Sequence, residues 1–321
     1  MEVNQEIEIN DVTLKVHGDH RQPGNCLQNN VPVSLALRIG TRDGKETADG
    51  ARTFLKHSDV TKTIAEYVTS HTFTSPENIA EDVAKVTIVG FQTTWVEVRV
   101  NVVEEGPQSV HNPGTINIRR TREDFPRPIV FISLGSNICP EKNLTNAVRL
   151  LRERTTVVAA SKVFITPPQL DTNQPPYHNM AVKILTPGDP YDLKRALYDI
   201  EDKLLRVRDP LRKNGPHTID LDISFWDDVT FSFTAFNRDT LGTSEKTTLS
   251  DHTKVKSGTK LQQIPHPDTL KFAHTIVPLA DLDPDFKHPV VMKTLAEVAM
   301  EVTGHVDFKG VFETADFKIY D

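Results

Sequence analysis

Two α+β domains in tandem are what the sequence predicts, on three observations. The chain has 321 residues, enough for two cores of ordinary size. Alternating β-branched stretches and helical stretches are mixed in both halves, as they are when strands and helices share one layered domain. Between the halves, "TREDFPRP" (121–128) combines charge with two prolines, where neither a helix nor a central strand continues. It is read as the linker between a domain at 1–120 and another at 129–321.

In the first half, residues 7–16 (IEINDVTLKV) and 31–39 (VPVSLALRI) alternate as strands do, with the loop-forming "DHRQPGNCLQNN" between them. Helices are predicted at about 57–71 and 76–86. The second opens with "SPEN", a serine cap, a proline in the first turn and an early acid. "WVEVRVNVV" and "GTINIRR" alternate again, which gives strand–strand–helix–helix–strand–strand.

In the second half, "IVFISLGSN" reads as a buried strand ending in a Gly-Ser-Asn turn, followed by a helix at 141–152. Strands are predicted at 157–165 and 178–185, a helix at 190–206, a strand at 218–226 and a last helix near 291–302. Residues of about 228–262 are rich in Thr, Ser and Lys and weakly periodic, as a polar surface insertion should be.

Composition excludes several classes. Hydrophobic content of 37% and charged content of 25% describe a soluble globular chain, and a net charge of −7 argues against a general nucleic-acid or anionic-membrane binder. The basic "NIRRTRE" is short and mixed in sign. Two cysteines, Cys26 and Cys139, are too few for a disulfide framework or a cysteine zinc site, which fits a reducing compartment. No apolar run approaches the roughly 20 residues of a membrane span. The acidic "MEVNQEIEIND" is unlike a targeting peptide, so a cytoplasmic location is expected.

The chemistry concentrates in "NGPHTIDLDISFW" (214–226). On a strand, Asp220 and Asp222 point to one face and Ile219, Leu221 and Ile223 to the other. Two carboxylates side by side resist ionising together unless a cation lies between them. Few, hard oxygen ligands suit Mg²⁺, which keeps waters and binds substrate phosphates, so phosphoryl transfer is implied.

Nearby stretches supply what such a site needs. "LLRVRDPLRK" offers Arg206 and Arg208, with Arg212 and Lys213 beyond, as clamps on phosphate oxygens. "QPPYHNMAV" presents Tyr177 and Asn179 on one side of a strand, an aromatic face beside an amide, suited to a flat heterocycle. "IPHP" adds His266 after a proline turn.

From about Ile129 to Leu282 the sequence resembles 6-hydroxymethyl-7,8-dihydropterin pyrophosphokinase. The resemblance rests on "FISLGSN", "ITPP", "QPPYHNMAV", "IEDKLLRVR", "NGPHTIDLDI", "IPHP" and "IVPLADLDPD" in the family's order. It implies a ferredoxin-like α+β domain that moves a diphosphate from ATP to the pterin hydroxymethyl group. By the same resemblance Asp220 and Asp222 hold two Mg²⁺ ions, and Tyr177 forms one face of the pterin clamp. Thr166 and Asn179 read the pterin edge, while Glu201, Arg206, Arg208 and His266 belong to the nucleotide side.

The sequence also departs from that family. His217 stands where an arginine grips the transferring phosphates, Phe272 and His274 stand where a basic and an aromatic residue are usual, and Tyr198 replaces a common glutamine. An arginine in such a site contributes roughly 10³-fold or more to rate, and imidazole substitutes only in part, mainly when protonated.

Residues 7–120 resemble the dihydroneopterin aldolase family, through "VHGD", "KHSDVTKTIAEYV", "SPENIAEDVAKVTI" and "VEVRVNV". The resemblance implies a tunnelling fold, homo-oligomeric assembly through this domain, and a pterin-anchoring role for Glu77. Val102 aligns with the catalytic lysine of that family and His57 with a tyrosine, so aldolase activity is not expected. This layout is that of fungal multifunctional folate proteins, here without a dihydropteroate synthase part, as expected of a fragment or a separate paralogue. Three readings follow. One is a Mg²⁺/ATP-dependent pterin pyrophosphokinase. Another is a repurposed paralogue using His217, His274 or His57 on a different flat metabolite, and the third is a non-catalytic binding protein.

Overall fold

The computed structural model describes residues 5–18, 31–41, 57–91, 93–103, 115–169, 171–186, 188–208, 212, 215–236 and 259–319. The chain divides into two compact units, one running to Pro126 and including Val229–Phe231, the other comprising Arg127–Asp228 and the residues from Ser232 onward.

In the first unit, β1 (Gln5–Gly18), β2 (Val31–Thr41), β4 (Trp95–Val102) and β5 (Ile116–Thr121) pair antiparallel in chain order. The short β3 (Thr72–Phe73) adds to β1 in parallel. Between β2 and β4 come α1 (His57–Ser70) and α2 (Pro76–Lys85). The predicted order is therefore present. Each helix buries one stripe, Val60, Ile64, Tyr67 and Val68 on α1 and Ile79, Ala80, Val83 and Ala84 on α2, as a 3.6-residue period requires. Ser75 caps α2 by accepting from Asn78 N at 3.3 Å, with Pro76 at the first position. Past Lys85 the helix widens into a π turn, Val86–Gly90, which the sequence pattern did not signal.

In the second unit the sheet order is β10-β6-β9-β8-β13. Its strands are β6 (Ile129–Ser136), β8 (Phe164–Thr166), β9 (Tyr177–Leu185), β10 (Asp220–Trp226) and β13 (Glu313–Thr314), with β7 (Thr156–Ala160) pairing β9 beside β8. The helices α3 (Pro140–Arg152) and α4 (Pro190–Lys203) link them in the order βαββαβ, and every pairing is antiparallel, the arrangement of a ferredoxin-like domain. The single strand predicted at 157–165 is two strands: Ser161 turns inward, donating through its N to Ala181 O at 2.9 Å and accepting on Oγ from Ala181 N at 2.9 Å.

Four further elements correct the sequence reading. The polar insertion expected at about 228–262 has strands at its ends, β11 (Phe231–Phe236) and β12 (Thr259–Ile264), which pair in a two-stranded sheet. Its centre, 237–258, lies outside the described residues. The "AHTIVPLADL" segment is a helix, α5 (Ala273–Leu282), and α6 begins only at Leu295, running to Thr303. Thr294 and Glu297 form a reciprocal cap that sets this start. Together α5 and α6 cover one sheet face through Phe131, Phe164, Phe225, Ile276, Leu279 and Leu295, all buried.

Candidate functional site

β10 is an edge strand, and its free backbone groups are taken up by charged side chains and a neighbouring turn. Arg206 donates to Ile219 O at 2.7 Å, Leu221 N donates to Glu201 Oε1 at 3.0 Å, Lys194 donates to Leu221 O at 3.0 Å, and His266 N donates to Ser224 O at 2.9 Å. An edge held in this way does not recruit another strand.

Asp220 lies opposite Gly135 and Asp222 opposite Ser133 on β6, so both acids share the face on which Phe131 sits. The pairing slips by one residue between Ile223 and Phe225. This bulge returns Phe225 to the same face, where it meets Phe131 edge-on at 5.6 Å. An acidic wall and an apolar floor thus follow each other on one side of one strand.

That side opens into a cavity of about 230 Å³. Asp220, Asp222, Ser224, Arg206, His217 and His266 line one part of it, and Thr166, Tyr177, Asn179 and Met180 another. Ser133, Leu134, Gly135, Pro167, Gln169, Gln174, Asp268, His274 and Thr275 complete the lining. Of the residues singled out from sequence, the cavity brings together Asp220, Asp222, Arg206, His217, Thr166, Tyr177, Asn179, His266 and His274. Glu77 and His57 belong to the first unit, both exposed, at the start of α2 and of α1. Val102 ends β4.

The "GSN" turn places the cavity's rim. Asn137 receives His217 N at 2.8 Å on its side-chain oxygen and donates to Gln174 Oε1 at 3.1 Å and Pro175 O at 3.2 Å. Ser136 donates to Thr218 O at 2.6 Å. The Tyr177 hydroxyl lies 3.0 Å from Gln174 Oε1 and 3.2 Å from Gly215 O, which fixes the ring, and the His217 ring sits 5.0 Å away. Asn179 donates to Thr166 Oγ1 at 2.7 Å. A Cβ at Gly135 would lie 2.8 Å from Asn179 Oδ1, so the glycine leaves room for that amide.

Glu201 and Arg208 stand outside the cavity lining. Glu201 was expected at the nucleotide, yet its side chain is 1% exposed and does not line the cavity. It holds Arg206 and Arg208, and burial pushes its carboxyl up to about 7 against the pull of these arginines and Lys194. Arg208, expected as a clamp, stays outside the lining, paired with Glu201 and with its guanidinium 5.6 Å from the Tyr198 ring. Glu201 positions Arg206, which does reach the cavity.

Each acid also has its own cation. Arg206 is hydrogen-bonded to Asp220 Oδ1, and Lys194 donates to Asp222 Oδ1 at 2.6 Å. Burial opposes ionisation of both acids, but Arg206 holds Asp220, and Lys194 holds Asp222, below the usual carboxylate range. His217 shifts the other way: burial lowers its pKa, so at neutral pH it is an uncharged imidazole, its Nδ1 3.2 Å from Gly215 O. His274 is lowered by burial too, and stacks on Phe272 at 5.3 Å.

The donor set fits Mg²⁺. Two ionised carboxylates stand on one wall, each 36–39% exposed toward the cavity, with no group of three or more His, Cys, Asp or Glu among the described residues that would compete for a softer metal. A carboxylate wall, one guanidinium and a ring-and-amide wall in a single cavity define a site for a phosphorylated ligand and a flat heterocycle.

Residues 131–284 match the family model of 7,8-dihydro-6-hydroxymethylpterin-pyrophosphokinase. The chain is 31% identical to the 2-amino-4-hydroxy-6-hydroxymethyldihydropteridine pyrophosphokinase of Bacillus subtilis over 157 residues, 48% of this chain and 77% of that one. It is similar to two folic acid synthesis proteins, from Dictyostelium discoideum (24% identity, 76% of this chain) and Schizosaccharomyces pombe (26%, 77%). It spans only 36% and 32% of their respective lengths. A dihydroneopterin aldolase structure from Vibrio cholerae overlaps 37% of this chain and 98% of its own, at 17% identity and a TM-score of 0.28. The chain belongs to the 7,8-dihydro-6-hydroxymethylpterin-pyrophosphokinase family.

Proposed function

We propose that the second unit transfers a diphosphate from ATP to the hydroxymethyl group of 6-hydroxymethyl-7,8-dihydropterin, a step of folate biosynthesis. The observation that carries this reading is the convergence, in one cavity, of the Asp220/Asp222 wall with Tyr177, Asn179 and Thr166. A pterin ring lies against Tyr177, and its donor–acceptor edge meets Asn179 and Thr166. Asp220 and Asp222 hold Mg²⁺, which when bound neutralises and orients the ATP phosphates. Arg206 supplies the fixed positive charge of the cavity, backed by Glu201. His217, uncharged, contributes a hydrogen bond rather than the charge of an arginine, so the turnover is reduced. The first unit is the part through which the chain assembles, without an aldolase activity of its own, for Val102 offers no proton at the end of β4.

The relatives' folate names favour this reading over the repurposed paralogue. Its test is AMP release from MgATP with and without the pterin. AMP formed in step with pterin consumption is expected; ATP left intact by folded protein would overturn the proposal.

A further inference from the structure

His217 stands where related sequences carry an arginine, and the exchange adds a capability besides removing a charge. A guanidinium only donates hydrogen bonds, whereas a neutral imidazole has one nitrogen that accepts. The neighbours fix which nitrogen that is. Nδ1 lies 3.2 Å from Gly215 O, and a carbonyl oxygen can only accept, so Nδ1 carries the proton. The same carbonyl lies 3.2 Å from the Tyr177 hydroxyl, so one peptide group orients both rings. The lone pair is therefore on Nε2, which has no hydrogen-bond partner among the described residues and is open to the cavity that the ring lines.

The ring's place is as firmly set as its tautomer. His217 N donates to Asn137 Oδ1 at 2.8 Å, and Asn137 N and Ile138 N donate to His217 O at 3.2 and 3.3 Å. Tyr177 belongs to the heterocycle wall and Asp220 to the carboxylate wall, and His217 lines the cavity with both, its ring centre 5.0 Å from that of Tyr177. A hydroxymethyl group that joins the heterocycle to the incoming phosphorus lies at that junction. The other histidines of the cavity are built differently. His266 Nδ1 accepts from Asp268 N at 3.3 Å, so the proton of its neutral ring is on Nε2 and it offers the cavity a donor. His274 stacks on Phe272 at 5.3 Å.

We infer that His217 is the general base of the transfer, its Nε2 accepting the proton of the hydroxymethyl O–H. That oxygen bonds to the β-phosphorus of ATP as the bond from the same phosphorus to the α,β-bridging oxygen breaks, and AMP leaves with the electron pair. The proton passes from the imidazolium to solvent afterwards. The inference rests on the diphosphate-transfer reading and gives the hydrogen bond of His217 a direction and a task. Burial of the ring, which lowers its pKa, agrees with an Nε2 that is free to accept at neutral pH.

The experiment is a single-turnover measurement on the full chain, by rapid quench with MgATP and the pterin, so that product release does not hide the chemical step. Folded His217→Ala should transfer roughly 10²-fold more slowly and regain roughly tenfold of that loss when free imidazole is added, as a missing proton acceptor does and a missing structural support does not. His217→Asn, whose amide can still donate to Gly215 O, should be as slow as His217→Ala. An unchanged rate in either folded variant, or a loss that imidazole leaves untouched, would overturn the inference while diphosphate transfer stands. Ring-nitrogen magnetic resonance spectra of the unaltered protein need no variant to fold: a protonated Nδ1 and a bare Nε2 are expected, and the opposite tautomer would overturn the inference too. No AMP from the unaltered protein would remove both the inference and the function beneath it.

Discussion

The two units treat their acidic residues differently. In the second, Asp220 and Asp222 are set on an edge strand whose backbone is tied by Arg206, Glu201, Lys194 and His266, and both acids line one cavity. In the first, Glu77 and His57 sit exposed at helix starts, and the exposed ion pairs of Arg38 with Glu6, Glu8 and Glu97 lie along its sheet. Exposed pairs of that kind are screened by solvent and contribute little. A charge becomes chemically useful where the fold limits its alternatives, as it does at Asp220 and Asp222.

Perturbing the second unit's network should therefore have the largest effects. Asp222→Ala should lower AMP formation by roughly 10³-fold or more while leaving far-ultraviolet circular dichroism unchanged. Glu201→Ala leaves two partly buried arginines without their buried partner and should cost roughly 3 kcal/mol in urea unfolding, with activity falling as Arg206 loses its support. Equal stability of this variant would contradict the role given to Glu201. Gly135→Ala pushes on Asn179 and should raise KM for the pterin more than KM for ATP. Equal changes in both constants would detach Asn179 from the pterin.

Acid offers a gentler probe of the same unit. His288 is buried, touches Thr269 Oγ1 at 3.1 Å and Phe225 at 5.2 Å, and burial lowers its pKa to about 4. The unfolded chain, with a histidine near its ordinary value of about 6.5, binds the proton first. Stability from this group is thus complete above about pH 6.5 and is lost as pH falls toward 4, by on the order of 3 kcal/mol. His288→Phe should flatten that dependence in unfolding curves followed between these pH values.

Much of this was legible in the sequence because strands have a period of two. Asp220 with Asp222, and Tyr177 with Asn179, share faces by that rule alone. The cap at Ser75 and Pro76 likewise announced α2. Lys194 escaped because a lysine on a helix reads as a solvated face. Its spacing gave the signal: Lys194, Leu197, Tyr198 and Glu201 fall three, four and seven residues apart, on the stripe that α4 buries. Glu201 was found by motif but misplaced, for sequence does not say which side of a strand a helical acid approaches. β11 and β12 were hidden inside a polar segment, and the bulge before Phe225 leaves no periodic trace in "DLDISFW".

The smallest effect belongs to the first unit. Glu77→Ala and His57→Ala, both at exposed positions, should each shift stability by less than about 0.5 kcal/mol and leave AMP formation as it was.

Pterin-dependent AMP formation by the full chain, measured side by side for the unaltered protein, Asp222→Ala and Glu77→Ala, tests the central claim most directly. The account requires turnover in the first and third and none above background in the second. Turnover that survives Asp222→Ala, or that is lost with Glu77→Ala, would contradict it.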